Sequence, residues 1–130
     1  MRFRFLILTI FSILLVACGS ASDTTPGFNA SVSTQAPPVI LRVSPLSGTA
    51  GDTITLFGFG FSSVAAANIV VIGGAGTSAA TYALVNPPTN GEAESLTVQV
   101  PAGAIVGADG IYVIVFENTS NADVQFTVTP

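Results

Sequence analysis

Glu92 and Glu94, separated by a single residue, come closest to a chemically active pair in this chain. Two neighbouring carboxylates can act as acid and nucleophile in glycoside hydrolysis, or as oxygen ligands for calcium. The pair follows residues 86–91, whose asparagines, prolines and glycine are typical of a turn. A solvated turn without chemistry is the simpler interpretation, so we expect neither a catalytic nor a metal-binding role for these residues.

The composition excludes most other chemistry. The chain contains no histidine, and its three basic residues are all arginines. Without histidine there is no Ser–His or Cys–His pair and no histidine-ligated zinc, and without lysine there is no P-loop or Schiff base. The net charge of -4 argues against nucleic acid as a partner. We therefore expect a protein that is not an enzyme and that uses no cofactor.

The single cysteine, Cys18, ends an apolar segment close to the N terminus. Arg2 and Arg4 precede this segment, and residues 5–17 are apolar apart from two hydroxyl side chains. A helix of that length would span about 20 Å at about 1.5 Å per residue. The hydrocarbon core of a bilayer is about 30 Å thick, so the pattern favours a signal peptide over a transmembrane helix.

The end of this segment, Leu15-Val16-Ala17-Cys18, resembles the lipobox of bacterial lipoproteins. The resemblance implies cleavage between Ala17 and Cys18, and lipidation of Cys18. Several acyl chains would hold the protein at a membrane, as one chain alone does not. Gly19 stands where an aspartate would resemble an inner-membrane retention signal, which permits display at the outer membrane or cell surface. A plain secretory signal with an incidental cysteine and a short membrane anchor remain the alternatives.

A change in composition after Cys18 separates a linker from a folded domain. Residues 19–38 are rich in Ser, Thr, Ala, Gly and Pro and show no sustained periodicity, as flexible linkers do. A random coil of this length reaches roughly 25 Å. The sequence therefore predicts a signal peptide at 1–17, a lipidated cysteine and linker at 18–38, and one domain at 39–130.

The domain reads as short strands separated by Gly- and Pro-rich turns. The predicted strands lie near residues 39–43, 53–57, 69–72, 80–85, 95–100, 110–116 and 124–128. About seven short strands at this spacing, without helical periodicity, predict an all-β fold in the form of an antiparallel β-sandwich.

The segment "PPVILRVSPLSGTAGDTITLFGFGFS", residues 37–62, resembles the opening of IPT/TIG domains, an immunoglobulin-like family. The matching residues are Ile40, Val43, Pro45, Gly48, Gly51, Asp52, Thr53, Ile54, Thr55, Leu56, Gly58 and Phe61. Later motifs at 72–74, 96–101, 110–114 and 126–128 extend the resemblance to about residues 38–130. It implies an immunoglobulin-like sandwich of the kind found in surface receptors, adhesion proteins and accessory modules of carbohydrate-acting enzymes.

Strand alternation predicts an exposed apolar patch on this sandwich. We expect the following side chains to face the core: Val70, Ile72, Tyr112, Ile114 and Phe116. Their neighbours should face outward and form a surface for a partner: Ile69, Val71, Val113 and Val115. Phe57 and Phe59 are also off the core parity of Ile54 and Leu56, on the other sheet. Exposed apolar patches often mark interfaces.

These features predict a non-catalytic cell-envelope lipoprotein that displays one immunoglobulin-like domain. The membrane partner would be reached through Cys18, and the domain would bind an unknown protein or polysaccharide. Exposed aromatics suited to sugar are limited to Phe57, Phe59 and Tyr82, and the chain has no tryptophan, so a protein partner is favoured. The alternative is a structural spacer, or an assembly subunit that associates with itself or with a larger envelope complex.

Overall fold

The computed structural model describes residues 35–130. The predicted signal peptide, the cleavage site at Ala17 and Cys18, and the linker as far as residue 34 lie outside the described residues. The strands are β1 (Val39–Ser44), β2 (Ser47–Gly48), β3 (Thr53–Phe59), β4 (Asn68–Ile72), β5 (Ala75–Ser78), β6 (Thr81–Thr89), β7 (Glu92–Gln99), β8 (Gly107–Gly110), β9 (Tyr112–Val115), β10 (Asn118–Thr119) and β11 (Gln125–Val128).

The strands form because apolar side chains recur at every second position. In β3, Ile54 and Leu56 are buried while the residues between them are less so. In β7, Leu96 and Val98 are fully buried in the same way. Leu56 lies opposite Leu96, and Ile54 lies opposite Val98, so the inward side chains of the two strands reinforce each other across the ladder.

The strands form three sheets around one apolar core. Sheet 1 has the order β1-β3-β7-β6, sheet 2 has the order β10-β9-β4-β5, and sheet 3 has the order β2-β11-β8. The core takes buried residues from all three, including Leu56, Val70 and Phe126. The predicted all-β sandwich is confirmed, and each of the predicted strands is present. The short strands β2, β5, β8 and β10 were not predicted, because they have only two to four residues and none of them contains a large apolar side chain.

Close packing between β1 and β3 depends on a glycine. Ile40 lies opposite Gly58, and a bulge follows at the next position of β1. A Cβ atom at Gly58 would overlap the carbonyl oxygen of Val39. Glycine is needed at this position to let the two backbones approach.

The predicted facing of β9 is wrong. Val113 and Val115, expected to face outward, are 0% and 1% exposed and belong to the core. Tyr112 and Ile114, expected to face inward, are half-buried on the opposite face. The pairing explains the error: Val70 lies opposite Val113, and directly opposite residues of an antiparallel pair share a face.

Phe116 was also expected in the core and is instead 68% exposed. Val115 pairs with Asn118, so Phe116 belongs to the two-residue turn between β9 and β10. The alternation of β9 ends before this residue. Its φ angle of 54° places it in a region that bulky residues rarely adopt.

Residues 75–94, whose pairing the sequence left open, form two hairpins. β5 returns along β4, and β6 pairs with β7 through a turn at Asn90 and Gly91. Both turn residues have positive φ angles, 55° and 83°. An Asn-Gly pair favours this conformation, which matches the twist of the flanking strands.

Candidate binding cleft

Glu92 and Glu94, the two carboxylates that the sequence places one residue apart, take part in separate interactions. The Glu92 carboxylate accepts two hydrogen bonds from Arg42, from Nε at 2.8 Å and from Nη2 at 2.9 Å. The Arg42 guanidinium also lies over the ring of Phe57, 3.8 Å from its centroid. The hydrogen bonds from Arg42 lower the pKa of Glu92 although its partial burial acts in the opposite direction. Glu92 therefore ties the β6–β7 hairpin to β1.

The predicted patch residues do not form one surface. Phe57 and Phe59 face outward from sheet 1 as expected, with Phe57 partly covered by Arg42 and Phe59 42% exposed. Ile69 is half-buried and Val71 is 8% exposed. Val113 and Val115 lie in the core and cannot contact a partner.

The outer face of sheet 2 is nevertheless apolar, with a different membership. Ile69 lies opposite Ile114, and Val71 lies opposite Tyr112. Because opposite residues share a face, these side chains stand together on the outside of the sheet. We call Ile69, Val71, Tyr112 and Ile114 the outer apolar face. If the predicted facing of β9 is reversed, so that Val113 and Val115 point inward, the sequence predicts this face.

A concave site lies elsewhere, at one end of the sandwich. This cleft has a volume of about 440 Å³ and is open to solvent over much of its boundary, so a ligand in it would be less enclosed than in most small-molecule sites. Its lining combines aromatic, aliphatic and polar side chains. The lining residues are Gln35, Phe61, Ser62, Ser63, Val64, Tyr82, Glu94 and Phe116.

Glu94 supplies the charge in the cleft. One carboxylate oxygen, Oε2, accepts a hydrogen bond from the backbone N–H of Phe61 at 2.7 Å. The other, Oε1, accepts a hydrogen bond from the hydroxyl of Tyr82 at 3.2 Å. The pKa of Tyr82 is raised, chiefly because the hydroxyl is desolvated and further because of the charge of Glu94 and this hydrogen bond. The hydroxyl therefore stays protonated and donates. Each carboxylate oxygen can accept more than one hydrogen bond, which leaves capacity for a ligand.

A buried asparagine shapes the wall of the cleft. Asn68, at the start of β4, is 0% exposed. Its Oδ1 accepts a hydrogen bond from the Ser62 N–H, and its Nδ2 donates to the carbonyl oxygens of Ser62, Val64 and Ala65. The loop therefore closes around a single side chain and continues into the 3-10 turn Ala65–Ala67. This fixes Val64, which is 63% exposed, at the cleft.

Phe116 stands at the cleft on the β9–β10 turn. Its ring is largely exposed and its backbone is held at a positive φ angle. Non-glycine residues in such conformations cost of order 1–3 kcal/mol and cluster at ligand sites. Together with Glu94 and Tyr82 it brings one exposed aromatic ring, one carboxylate and one hydroxyl into the same concave space.

Sequence reasoning named Glu94 and Tyr82 singly but did not bring them together with Phe116. Tyr82 pairs with Leu96, two residues from Glu94 in β7, and this register was not predictable for residues 75–94. Phe116 was assigned to the core. A two-residue turn carrying a phenylalanine leaves no Gly or Asn signal that would mark it.

Two common features, a cluster of metal ligands and a membrane-spanning helix, are absent from residues 35–130. No group of three His, Cys, Asp or Glu side chains is placed to hold a metal ion there. Over the same residues, no helix has the length and apolar character that a membrane crossing requires.

Comparison with known families and structures identifies the fold. A family model described as the IPT/TIG domain matches residues 38–128, and no curated protein matches the sequence. A Gamma-CGTase from alkalophilic Bacillus clarkii is 24% identical over 72% of this chain and 12% of its own, with a TM-score of 0.56. An auxiliary nutrient binding protein from Bacteroides thetaiotaomicron VPI-5482 is 26% identical over 72% of this chain and 21% of its own, with a TM-score of 0.52.

A protein of unknown function from the same Bacteroides strain aligns with a TM-score of 0.55 at 16% identity, over 74% of this chain and 22% of its own. The chain thus spans between 12% and 22% of the length of these three solved proteins. At 24% and 16% identity, the likenesses to the Gamma-CGTase and to the protein of unknown function show a shared fold alone.

Proposed function

This chain belongs to the IPT/TIG family, and from that premise we propose that it is a non-catalytic binding module of the bacterial cell envelope. The observation that carries the proposal is the cleft, where Glu94, Tyr82 and the exposed ring of Phe116 converge. A concave site lined by apolar side chains with a few converging polar groups is the usual form of a ligand site. The strained backbone of Phe116 supports a functional reading, because strain persists where it serves a site.

The likeness to an auxiliary nutrient binding protein supports binding as the activity. That protein is about five times the length of the aligned region, so its own ligand does not transfer to this chain. What carries over to the proposal is binding as the kind of activity. The partner of this chain would be a protein or a polysaccharide.

The arrangement of carboxylates supports a non-catalytic role. Glu92 is held by Arg42, and Glu94 is hydrogen-bonded to a backbone N–H and to Tyr82. A glycosidase pair needs one carboxyl group that is free to give up a proton and a second that is free to attack. Glu92 has no such freedom, because it is bound to a guanidinium at both oxygens.

The envelope location rests on the sequence around Cys18, which lies outside the described residues. We propose that Cys18 is lipidated and that cleavage falls between Ala17 and Cys18, so that the linker at residues 19–38 tethers the domain to an outer membrane or cell surface. The intact mass of the protein from its membrane fraction tests this. A chain beginning at Cys18 plus lipid supports the anchor, and an unmodified chain released to the medium rules it out.

Binding is tested with the full chain and two matched variants. Phe116→Asn removes the ring at the cleft and keeps a residue that tolerates a positive φ angle. Leu46→Asn is the control. It removes a side chain of similar exposure, 66% against 68% for Phe116, that follows the C-terminal end of β1 and does not line the cleft. Saturable binding to purified envelope protein or polysaccharide should be lost in Phe116→Asn and retained in Leu46→Asn. Equal loss in both, or no saturable binding, contradicts the proposal.

The outer apolar face favours a second candidate function, an assembly or spacer subunit. Ile69, Tyr112 and Ile114 are half-buried on this face, while its fourth member, Val71, is 8% exposed. Self-association through this face would bury them. Sedimentation of the full chain in detergent tests it: concentration-dependent association that Ile114→Thr abolishes supports assembly, whereas a monomer at all concentrations excludes self-association.

A further inference from the structure

Among residues 35–130, no basic side chain pairs with the carboxylate of Glu94 in the cleft. Both donors that it accepts from, the Phe61 N–H and the Tyr82 hydroxyl, are neutral. Among residues 35–130 the only basic side chain is Arg42. Its Nε and Nη2 donate to the carboxylate of Glu92, and Arg42 forms its salt bridge with Glu92 and not with Glu94.

The cleft surrounds this carboxylate with aromatic surface. Tyr82 is half-buried, Phe61 is 5% exposed and Phe116 is 68% exposed, so the ring of Phe116 offers most of the free aromatic area. The face of an aromatic ring carries negative charge density and attracts cations. A carboxylate beside aromatic rings therefore presents two independent attractions for the same kind of ligand.

The charge of the whole domain points the same way. Its acidic side chains are Asp52, Glu92, Glu94, Asp109, Glu117 and Asp123. Because these acidic side chains outnumber the single arginine, Arg42, the domain carries a net negative charge and a negative electrostatic potential. Such a field draws cationic partners in and repels anionic ones, including phosphate-bearing lipid headgroups and acidic polysaccharides.

We propose that the cleft binds an ammonium or guanidinium group, presented as a lysine or arginine side chain of a partner protein. The inference rests on the proposed binding function and names the chemistry of its partner. Glu94 accepts charge-assisted hydrogen bonds from the cation, which are about twice as strong as neutral ones. Phe116 covers the cation from the rim, and Val64 contacts the aliphatic part of the side chain. A neutral sugar would leave the charge of Glu94 uncompensated.

The experiment measures the affinity of the full chain for an acetylated, amidated Gly-Ser-Lys-Ser-Gly peptide by NMR titration. A second peptide with glutamine in place of lysine is the ligand control. Glu94→Gln removes the charge and keeps an oxygen that can accept from Phe61. Asp109→Asn removes the same charge from β8, outside the cleft, and keeps the oxygen that accepts from the Gly110 N–H.

The proposal predicts that the lysine peptide binds and the glutamine peptide does not. Glu94→Gln should weaken binding by about tenfold or more, as loss of a charged hydrogen bond does. Asp109→Asn should weaken it by less than about twofold, because Asp109 is exposed, does not line the cleft and is screened by salt. Phe116→Leu, which keeps an apolar side chain on the exposed turn, should also weaken binding because it removes the aromatic face that attracts the cation. This variant keeps the test decisive if Glu94→Gln does not fold.

Several results would overturn the inference. These are equal binding of the two peptides, unchanged affinity in both Glu94→Gln and Phe116→Leu, or tighter binding of putrescine or of maltoheptaose than of the lysine peptide. No binding of the lysine peptide, together with envelope binding that still depends on Phe116, would defeat the cation inference and leave the proposed function standing. Loss of both would defeat both.

Discussion

Replacing Val113 by threonine and, separately, Ile114 by threonine tests the facing of β9 directly. Val113 is 0% exposed and lies opposite Val70 inside an entirely apolar core. Ile114 lies opposite Ile69 on the outer apolar face and is half-buried. Both substitutions introduce a hydroxyl at neighbouring positions of one strand. Ile114→Thr also removes one methyl group more than Val113→Thr, so a lower cost at Ile114 can only come from its more exposed environment.

The expected cost of Val113→Thr is about 2 kcal/mol, because a fully buried methyl group is lost and a hydroxyl without a partner enters the core. Ile114→Thr should cost less than about 1 kcal/mol, since water reaches that face. For a domain of this size, about 2 kcal/mol lowers the midpoint of thermal unfolding by roughly 8–16 °C.

Urea unfolding of the full chain, followed by circular dichroism, gives both free energies of unfolding. The wild-type chain and both variants should share the same denaturant slope, so that midpoints compare directly. A cost for Ile114→Thr equal to or above that of Val113→Thr would refute the facing of β9 and with it the outer apolar face.

Three further predictions concern the packing around the site. Because the folded-state pKa of Glu92 is lowered chiefly by hydrogen bonds from Arg42, its contribution is complete above the ordinary carboxyl value of about 4.3 and is lost as the pH falls through the lowered pKa. Urea unfolding across this range should show a smaller acid-dependent loss in Glu92→Gln than in wild type, and identical pH profiles would contradict the pairing. Gly58→Ala should destabilise the fold by about 3 kcal/mol or more, because its Cβ would overlap the Val39 carbonyl oxygen; thermal unfolding near the wild-type midpoint would contradict this close approach. Phe116→Gly should be more stable than Phe116→Ala by about 1 kcal/mol, since only glycine adopts the positive φ angle freely; the opposite order in the same unfolding assay would show that the turn is unstrained.

The seven predicted strands were recognisable because physical signals in the sequence repeat. Ile54 and Leu56 in β3, and Leu96 and Val98 in β7, alternate with polar residues and so define inward faces. Glycines and prolines then mark the turns between strands. The IPT/TIG resemblance placed the same strands in a sandwich, and both routes agree with the structure.

The cleft was not predictable for three physical reasons. All residues of β9 are apolar, so alternation gives no direction, and only pairing with β4 places Val113 inward. The register of β6 on β7 brings Tyr82 near Glu94 and follows from a hairpin that sequence alone left open. The wall of the cleft depends on Asn68, whose buried side chain organises a loop through hydrogen bonds that leave no periodic pattern.

The most direct test of the account is site-specific photo-crosslinking in intact cells, with a photoreactive residue at Ser63 beside the cleft or at Ser47 in β2. Both serines are exposed, so they differ in position and not in access to solvent. A discrete adduct with an envelope component is expected from Ser63 and none from Ser47. A specific adduct from Ser47 alone, or no specific adduct from Ser63, would contradict the claim that the cleft end of this domain is its binding surface.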